Sequence, residues 1–261
     1  MKTKCVMVLL LALFFFSLYP TFPANVEAQT EPDVFVGVHL GYGDVAEAKA
    51  LIDRTSSCAN FVLIGTSRIF YDQLKLTETF QYAYDNDMYF MSFAPSIPHS
   101  EEGPSPRDLW FAYANQTWGD RLVGFYAYDE PGGQILDGEL LPLWKDEGMP
   151  SNSVEAAENF KDYLTWRVDL VRSRNLGYWN YPLFTADYGL YWFNYKGGYD
   201  GLFAEFVANY NRQLTVSLVR GAAQIQNRQW GILIGWKYDY SPYLASGEEL
   251  FEDMVFAYDS G

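Results

Sequence analysis

The 261-residue sequence has little cysteine and little histidine, and this scarcity excludes several kinds of site. Its two cysteines are Cys5 and Cys58, and Cys5 lies in an N-terminal segment that we expect to be removed. One remaining cysteine allows neither an intramolecular disulfide nor a cysteine-based zinc site. A two-histidine metal site would require His39 and His99 to converge, and His99 follows a proline in a Glu-rich stretch. We therefore expect no metal and no cofactor.

Basic residues are also few: 18 Lys and Arg stand against 33 Asp and Glu, for a net charge of -15. A strongly acidic surface repels phosphate backbones, so nucleic-acid binding is not expected. The sequence also contains no P-loop, no G-x-S-x-G nucleophile elbow and no H-E-x-x-H zinc motif. The excess of acidic residues favours solubility, and solubility alone is a sufficient explanation for this composition.

The first 28 residues have the pattern of a secretory signal peptide. Lys2 and Lys4 precede an apolar run from Cys5 to Tyr19, and Val26-Glu27-Ala28 resembles a signal-peptidase site. The run is shorter than the roughly 20 residues that a membrane span needs. We expect cleavage near Ala28, secretion or display at the cell surface, and a mature domain of residues 29–261 without a membrane span.

Aromatic residues are abundant and make up 18% of the chain. Flat rings with a polar edge stack well on the apolar faces of sugars. A tyrosine-rich outer surface is the alternative explanation, and composition does not separate the two.

Apolar runs of strand length alternate with helical segments along the mature chain. This alternation predicts an α/β fold with a parallel sheet, and its length favours a (β/α)8 TIM-barrel-like domain. Only seven strands are recognised, so the eighth is missing, and we expect either a fragment or a barrel closed in another way. The predicted strands are 34–40, 60–66, 88–93, 122–128, 182–186, 201–206 and 231–236.

The fourth predicted strand ends in a pair of acids. Strand alternation places Gly124, Tyr126, Tyr128 and Glu130 on one face, opposite the apolar side chains that would pack on helices. Catalytic residues of such barrels lie at the carboxyl ends of strands. An aromatic-walled pocket there would raise the pKa of Glu130, which suits a general acid. The alternative is an exposed acid at the start of a loop.

Asp129-Glu130-Pro131 resembles the Asn-Glu-Pro at the end of strand four in the clan of retaining barrel glycosidases. The resemblance implies that Glu130 is the acid/base and that Asp129, which replaces the Asn, contacts the sugar. The Tyr-Asp-Glu-Pro-Gly-Gly stretch and the Trp-Gly-Ile-Leu-Ile strand also resemble uncharacterised archaeal exported proteins, a similarity that implies no activity.

Glycoside hydrolysis usually requires a second carboxylate. The resemblance implies a Glu after strand seven, where this chain has none. Asp239 could replace it, or Glu205 could, since Glu205 shares a strand face with Gly201 and Phe203. An ion pair with Arg212 or Arg220 is the alternative for Glu205, and a turn acid is the alternative for Asp239.

Other residues near predicted strand ends are candidate substrate ligands. The histidine could bind a hydroxyl or simply belong to the core, and the aromatic residues could be sugar platforms or core residues. The candidates are Asp129, His39, Tyr42, Tyr128, Asp187, Trp192, Trp236 and Tyr238.

The predicted function is therefore an exported glycoside hydrolase with Glu130 as proton donor and Glu205 or Asp239 as its partner. A non-catalytic carbohydrate-binding barrel or a surface module of a longer exported protein are the alternatives. Carbohydrate is the expected partner, and the sequence gives no oligomeric state.

Overall fold

The computed structural model describes residues 34–94, 106–173, 181–207, 210–235 and 246–261. The chain divides into two units, Met1–Phe35 and Val36–Gly261, and every helix and strand given below belongs to the second. The predicted signal segment lies outside the described residues.

Seven strands run through the described residues in one sheet whose spatial order follows the chain order. Every neighbouring pair is parallel. This order confirms the α/β, TIM-barrel-like prediction, with the strands set side by side as in a barrel wall. The strands are β1 (Gly37–Leu40), β2 (Phe61–Ile64), β3 (Tyr89–Phe93), β4 (Leu122–Tyr126), β5 (Leu183–Asp187), β6 (Gly201–Phe206) and β7 (Gln229–Ile234).

Helical segments connect the strands, as parallel pairing requires. A 3₁₀ turn (Gly119–Arg121) precedes β4, and a π-helix (Pro131–Leu140) follows it. The α-helices are α1 (Val45–Thr55), α2 (Ser67–Phe70), α3 (Gln73–Asp85), α4 (Pro106–Trp118), α5 (Leu141–Glu147), α6 (Ser153–Ser173), α7 (Tyr191–Lys196), α8 (Arg212–Gln226) and α9 (Gly247–Asp259).

The two faces of the sheet bury different sets of side chains. The helix-facing side holds the larger core, in which Phe80, Phe90, Trp110 and Trp118 form a cluster of ring contacts. The opposite face carries a smaller apolar layer: Leu63, Met91, Tyr126, Phe184 and Ala186, with Phe61, Phe93, Phe203 and Leu233 packed against it.

Glycines make room for the rings of this smaller layer. A Cβ at Gly201 would lie 2.1 Å from the Phe184 ring, and one at Gly124 would lie 2.7 Å from it. Such distances are far below van der Waals contact, so Phe184 fits only because these two strand positions lack side chains.

Helix starts agree with the sequence in most places. Asp44 caps α1 and Ser246 caps α9, and each forms a reciprocal capping box with a glutamate three residues later. The sequence also offers Thr77 as the N-cap of the next helix, but α3 already begins at Gln73, with Asp72 accepting two backbone N–H groups. Cys58 lies just before an apolar strand, a position that predicts a buried side chain, but the structure shows it exposed.

The segment after β4 differs most from expectation. Its prolines and glycines predict a long irregular connection, whereas the structure forms a π-helix that continues directly into α5. Ile135 and Leu140 are buried there against Phe160 and Leu164 of α6. Tertiary packing therefore outweighs the local signals of Pro131, Gly132 and Gly133. No helix among the described residues combines the length and apolar character that crossing a membrane requires.

Candidate acid–base site

Carboxyl groups collect at the carboxyl ends of β4, β5 and β6. Glu130 follows β4, Asp187 is the last residue of β5, and Glu205 is the fifth of six residues in β6. Neighbouring parallel strands end at the same edge of the sheet, so these three side chains approach one another although they are distant in sequence.

The chain makes an unusual turn as it leaves β4. Tyr128 has φ 56° and Glu130 has φ 44°, the left-handed region that side chains other than glycine seldom adopt. Each such residue costs on the order of 1–3 kcal/mol and persists only where its surroundings hold it.

Three hydrogen bonds from outside the turn hold its backbone. The Tyr199 hydroxyl donates to the Ala127 carbonyl at 3.1 Å, and the Thr185 hydroxyl donates to the Tyr128 carbonyl at 2.6 Å. The Glu130 N–H donates to the Ala186 carbonyl at 3.1 Å. The β5 strand and the loop before β6 thus define the path of the turn.

This turn changes the predicted strand alternation. Phe125 and Ala127 pack on the helix side as predicted, and Tyr126 enters the smaller layer. The prediction that Tyr128 shares the face of Tyr126 is wrong, because β4 ends at Tyr126 and the left-handed turn redirects Tyr128. Its ring lies under the Arg167 guanidinium, 4.6 Å from the ring centre, at the packing of α6.

Glu130 and Glu205 form a hydrogen-bonded pair through their carboxyl groups. Glu205 is only 5% exposed, and Glu130 is half-buried. Burial, followed by the charge of Glu130, raises the pKa of Glu205 to about 8. The pKa of Glu130 is also raised, chiefly by burial, and the hydrogen bond from Glu205 opposes that rise. Near neutral pH the proton therefore lies on Glu205.

Asp129 and Tyr126 complete this edge of the cluster. Asp129 is exposed and accepts a short hydrogen bond from the Tyr126 hydroxyl, which itself accepts the Ala186 N–H at 2.9 Å. Burial, reinforced by Asp129, raises the pKa of Tyr126 well above its ordinary value. Tyr126 therefore stays neutral and fixes the orientation of the Asp129 carboxylate.

His39 lies on β1, where its side chain is exposed, and it is close enough to Asp129 to interact with that carboxylate. Its ring is 5.9 Å from Phe93, and a Cβ at Gly65 would come within 2.4 Å of its Nε2. Desolvation lowers the pKa of His39, and the Asp129 carboxylate opposes that shift. The lowered pKa favours the uncharged imidazole, which can both donate and accept a hydrogen bond.

Asp187 is fully buried, and its carboxylate binds the chain itself. Oδ2 accepts the Gly132 N–H at 3.0 Å and the Asn194 side-chain amide at 2.6 Å. Oδ1 accepts the N–H groups of Tyr188 at 2.8 Å and Gly189 at 3.3 Å. These contacts tie the segment after Glu130 to the loop after β5, which favours a structural role over the predicted substrate contact.

Two further predicted ligands, Tyr42 and Trp192, also lie within the described residues. Tyr42 is 93% exposed in the loop after β1. Trp192 lies on α7 with Lys196 Nζ 5.6 Å from its ring centre, and its carbonyl accepts from Gln226 of α8. The predictions for Asp239, Trp236 and Tyr238 concern positions outside the described residues.

Three residues of the site were not among the predicted candidates: Tyr126, Thr185 and Tyr199. Thr185 is a polar residue within the otherwise apolar start of β5, which was the available signal. Tyr126 was placed on the correct face of β4, but its bond to Asp129 depends on the turn. Tyr199 gave no signal, because its partner Ala127 is 72 positions away.

The described residues contain no group of three or more His, Cys, Asp or Glu side chains arranged to hold a metal ion. The carboxyl groups of Glu130 and Glu205 instead bind each other. The geometry is that of a proton-sharing pair.

No family model matches the chain, and no curated protein matches it. Solved structures that are similar to this chain include the 3-dehydroquinate dehydratase from Aquifex aeolicus VF5. The two chains are 10% identical with a TM-score of 0.38, and the match covers 86% of this chain and 99% of that one. Another is the type I 3-dehydroquinate dehydratase from Clostridium difficile with covalently modified comenic acid, at 10% identity and TM-score 0.39, covering 87% and 93%. Because these identities and TM-scores are low, the assignment of the architecture depends on the strand order described above.

The glycosidase resemblance is corrected by these findings. The two solved structures named above are 3-dehydroquinate dehydratases, and neither a family model nor a curated protein supports the glycosidase clan or the archaeal exported proteins. The site agrees with this correction: hydrogen-bonded carboxyls are closer than the roughly 5–5.5 Å or 6.5–9.5 Å that the two hydrolytic mechanisms use. The glycoside hydrolase prediction is therefore wrong, and its carbohydrate-binding alternative has no support. The comparisons give no support to a signal peptide, and secretion stays a prediction.

Proposed function

We propose that the carboxyl end of the sheet is the active site of an acid–base enzyme, in which Glu205 donates a proton and Glu130 accepts one. The observation that carries this proposal is the hydrogen bond between the two carboxyl groups, one buried and one half-buried. Two like charges in contact do not both ionise near neutral pH, so the pair holds one shared proton.

The shared proton gives each residue a role. With its pKa at about 8, Glu205 is protonated at neutral pH and can act as a general acid. Glu130 receives the hydrogen bond from Glu205 and carries the negative charge, which suits a general base. The two groups titrate as a unit, so both roles disappear when the pair gains or loses a proton.

Asp129 supports this division. Its charge contributes to raising the pKa of Glu205, and Tyr126 fixes its position. We assign Asp129 an electrostatic role, and its side chain is also exposed enough to contact a substrate. His39 on β1, whose pKa is lowered, is a further hydrogen-bonding group.

The closeness of the two oxygens favours a particular reaction class. Acid and base groups that flank a bond act on opposite sides of a substrate, whereas a contacting pair acts on one side. A base that removes a proton and an adjacent acid that returns one to a neighbouring atom accomplish an isomerisation on a single face. We infer a proton-shift isomerisation as the reaction.

The charges favour an uncharged or cationic substrate. The charged groups that raise the pKa of Glu205 are all carboxylates, namely Glu130, Asp129 and Asp187. An anionic substrate entering this field would be repelled, because interactions in a partly buried site are weakly screened.

A small neutral epoxide tests the pair without knowledge of the substrate. The Glu130 carboxylate attacks a ring carbon, the carbon–oxygen bond of the ring breaks, and Glu205 gives its proton to the departing oxygen. The products are a glutamyl ester and a hydroxyl group. We expect one adduct per chain by intact-protein mass spectrometry, mapped to Glu130, with a rate that falls as the pH rises through about 8 and Glu205 ionises.

Three single variants control this experiment. Glu130→Gln removes the attacking oxygen and Glu205→Gln removes the titrating proton donor, so neither should give the adduct with the wild-type pH dependence. Glu139→Gln removes a carboxylate bound to Arg167 and Tyr163, and its labelling should match the wild type. Labelling that is unchanged in both Glu130→Gln and Glu205→Gln would contradict the proposed function.

A further inference from the structure

The turn that carries Glu130 is held by two buried hydroxyl groups. Thr185 and Tyr199 are each 0% exposed, and their hydroxyls donate to the consecutive carbonyls of Tyr128 and Ala127. Tyr128 takes a left-handed conformation within this turn, as Glu130 does two residues later. Without compensating contacts a chain would relax such backbone toward ordinary angles.

Relaxation of the turn would move the Glu130 carboxyl. The side chain leaves the backbone in a direction set by φ and ψ, so a return of Glu130 to negative φ re-aims it. Glu205 is confined to β6 and is paired to β7 at Leu233. The contact between the two carboxyl groups therefore depends on the turn, and the turn depends on its donors.

We propose that Thr185 and Tyr199 are positioning residues, whose hydroxyls hold the left-handed turn that places Glu130 against Glu205. This inference concerns the geometry of the pair and rests on the proposed function for its catalytic meaning. Neither hydroxyl bonds to Glu130 or Glu205 directly, so both act through the backbone.

Asp187 extends the same arrangement past Glu130. Its Oδ2 accepts the Gly132 N–H, two residues beyond Glu130, and a Cβ at Gly132 would approach Oδ1 to 3.0 Å. The turn is thus held by Tyr199 and Thr185 before Glu130 and by Asp187 after it. The Ala186 carbonyl holds the Glu130 N–H between them.

The test removes each hydroxyl with little change of shape, in Thr185→Val and Tyr199→Phe. The readout is the titration of Glu205, followed by nuclear magnetic resonance with isotope-labelled glutamate and assigned with Glu205→Gln. Losing the contact with Glu130 removes one cause of the raised pKa. We therefore expect the pKa of Glu205 to fall by about one unit or more in each variant. Thr185→Ser, which keeps the hydroxyl, should restore it.

Matched controls exist elsewhere in the chain. Thr79 is equally buried and donates to the Lys75 carbonyl within α3, and Tyr195 donates to the Gln229 carbonyl at the start of β7. Thr79→Val and Tyr195→Phe should leave the titration of Glu205 at its wild-type position. Both lose one buried hydrogen bond, so they match the stability cost without touching the turn.

Three results separate the positioning inference from the proposed function. A raised wild-type pKa that persists in folded Thr185→Val and Tyr199→Phe would overturn the inference, because the turn would then be held by its main chain. A falling pKa in these variants supports it whether or not the wild type reacts with the epoxide. Failure of the epoxide reaction in the wild type counts against the acid–base function alone.

Discussion

The acidic residues at the two ends of β6 have opposite electrostatic environments. At the amino end, Asp200 accepts from Arg172 and Arg228, each at 2.7 Å, and from the Leu183 N–H at 3.0 Å. At the carboxyl end, Glu205 is buried and its partner Glu130 is another carboxyl group. The acid directly before β6 is therefore neutralised by cations, whereas the acid near the carboxyl end of β6 is repelled by other carboxylates.

This difference separates stability from chemistry. Barrels of parallel strands keep their catalytic residues at the carboxyl ends, whereas residues at the amino ends serve stability. Repulsion and desolvation at Glu205 lower the stability of the fold, and proteins retain such features where function needs them. The contrast predicts opposite outcomes when either acid is neutralised.

The largest expected effect follows from Glu205→Gln. The pKa of Glu205 in the folded chain, about 8, lies above its ordinary value of 4.5. Stability is therefore full below the ordinary value and is lost as the pH rises through about 8. The variant lacks this loss, so at about pH 9 its free energy of unfolding should exceed that of the wild type by about 5 kcal/mol at most, since each unit of pKa corresponds to about 1.4 kcal/mol.

Urea unfolding at about pH 5 and about pH 9 measures this difference. Glu139→Gln serves as the control, since Glu139 is already paired with Arg167. Equal pH dependence of Glu205→Gln and the wild type would mean that Glu205 is not repelled in the folded chain.

A smaller effect of opposite sign is expected at the amino end. Asp200→Asn removes the charge that both arginines bind, and it weakens the bond to the Leu183 N–H. The arginine side chains are partly exposed, so screening reduces the loss to about 1–2 kcal/mol of unfolding free energy. The measurement is urea unfolding at low and high salt, and the loss should shrink with salt.

Asp146→Asn on α5 is the matched control, because Asp146 is exposed. A stability of Asp200→Asn equal to that of the control at low salt would show that the amino end is not stabilised by its ion pairs. The contrast between the two ends of β6 would then be lost.

The smallest expected effect concerns backbone strain at Asn227, shortly before β7. Asn227 ends α8 with φ 51°, a conformation that glycine accepts freely. Asn227→Ala should lower the free energy of unfolding by about 1 kcal/mol, whereas Asn227→Gly should change it little. Thermal unfolding of the two variants compares them directly. Equal stability of the alanine and glycine variants would mean that φ at this position carries no cost.

The sequence predicts the architecture because its signals are local and repeated. Each strand is a short apolar run, and the runs alternate with helices often enough to indicate a parallel sheet. Strand alternation also places Glu205 on the correct face of β6, together with Gly201 and Phe203. Phe203 packs against the smaller apolar layer, and Glu205 lies two positions further along β6.

The site was less accessible to this reasoning. Strand alternation depends on the type of side chain and carries no information on φ. The predicted fourth strand therefore continues through Tyr128, although β4 ends at Tyr126. The turn depends on Thr185 and Tyr199, 57 and 72 positions beyond their partners. The glycosidase hypothesis failed for a related reason: a three-residue motif gives no distance between two carboxyl groups, and that distance decides the chemistry.

The titration of Glu205 in the wild-type chain is the measurement that decides whether Glu130 and Glu205 share a proton. Isotope-labelled glutamate, with Glu205→Gln for assignment, gives the midpoint of that one carboxyl group by nuclear magnetic resonance. We expect a midpoint of about 8, which moves down when Glu130→Gln removes the neighbouring charge. A midpoint near the ordinary 4.5, unchanged by Glu130→Gln, would contradict the proton-sharing pair.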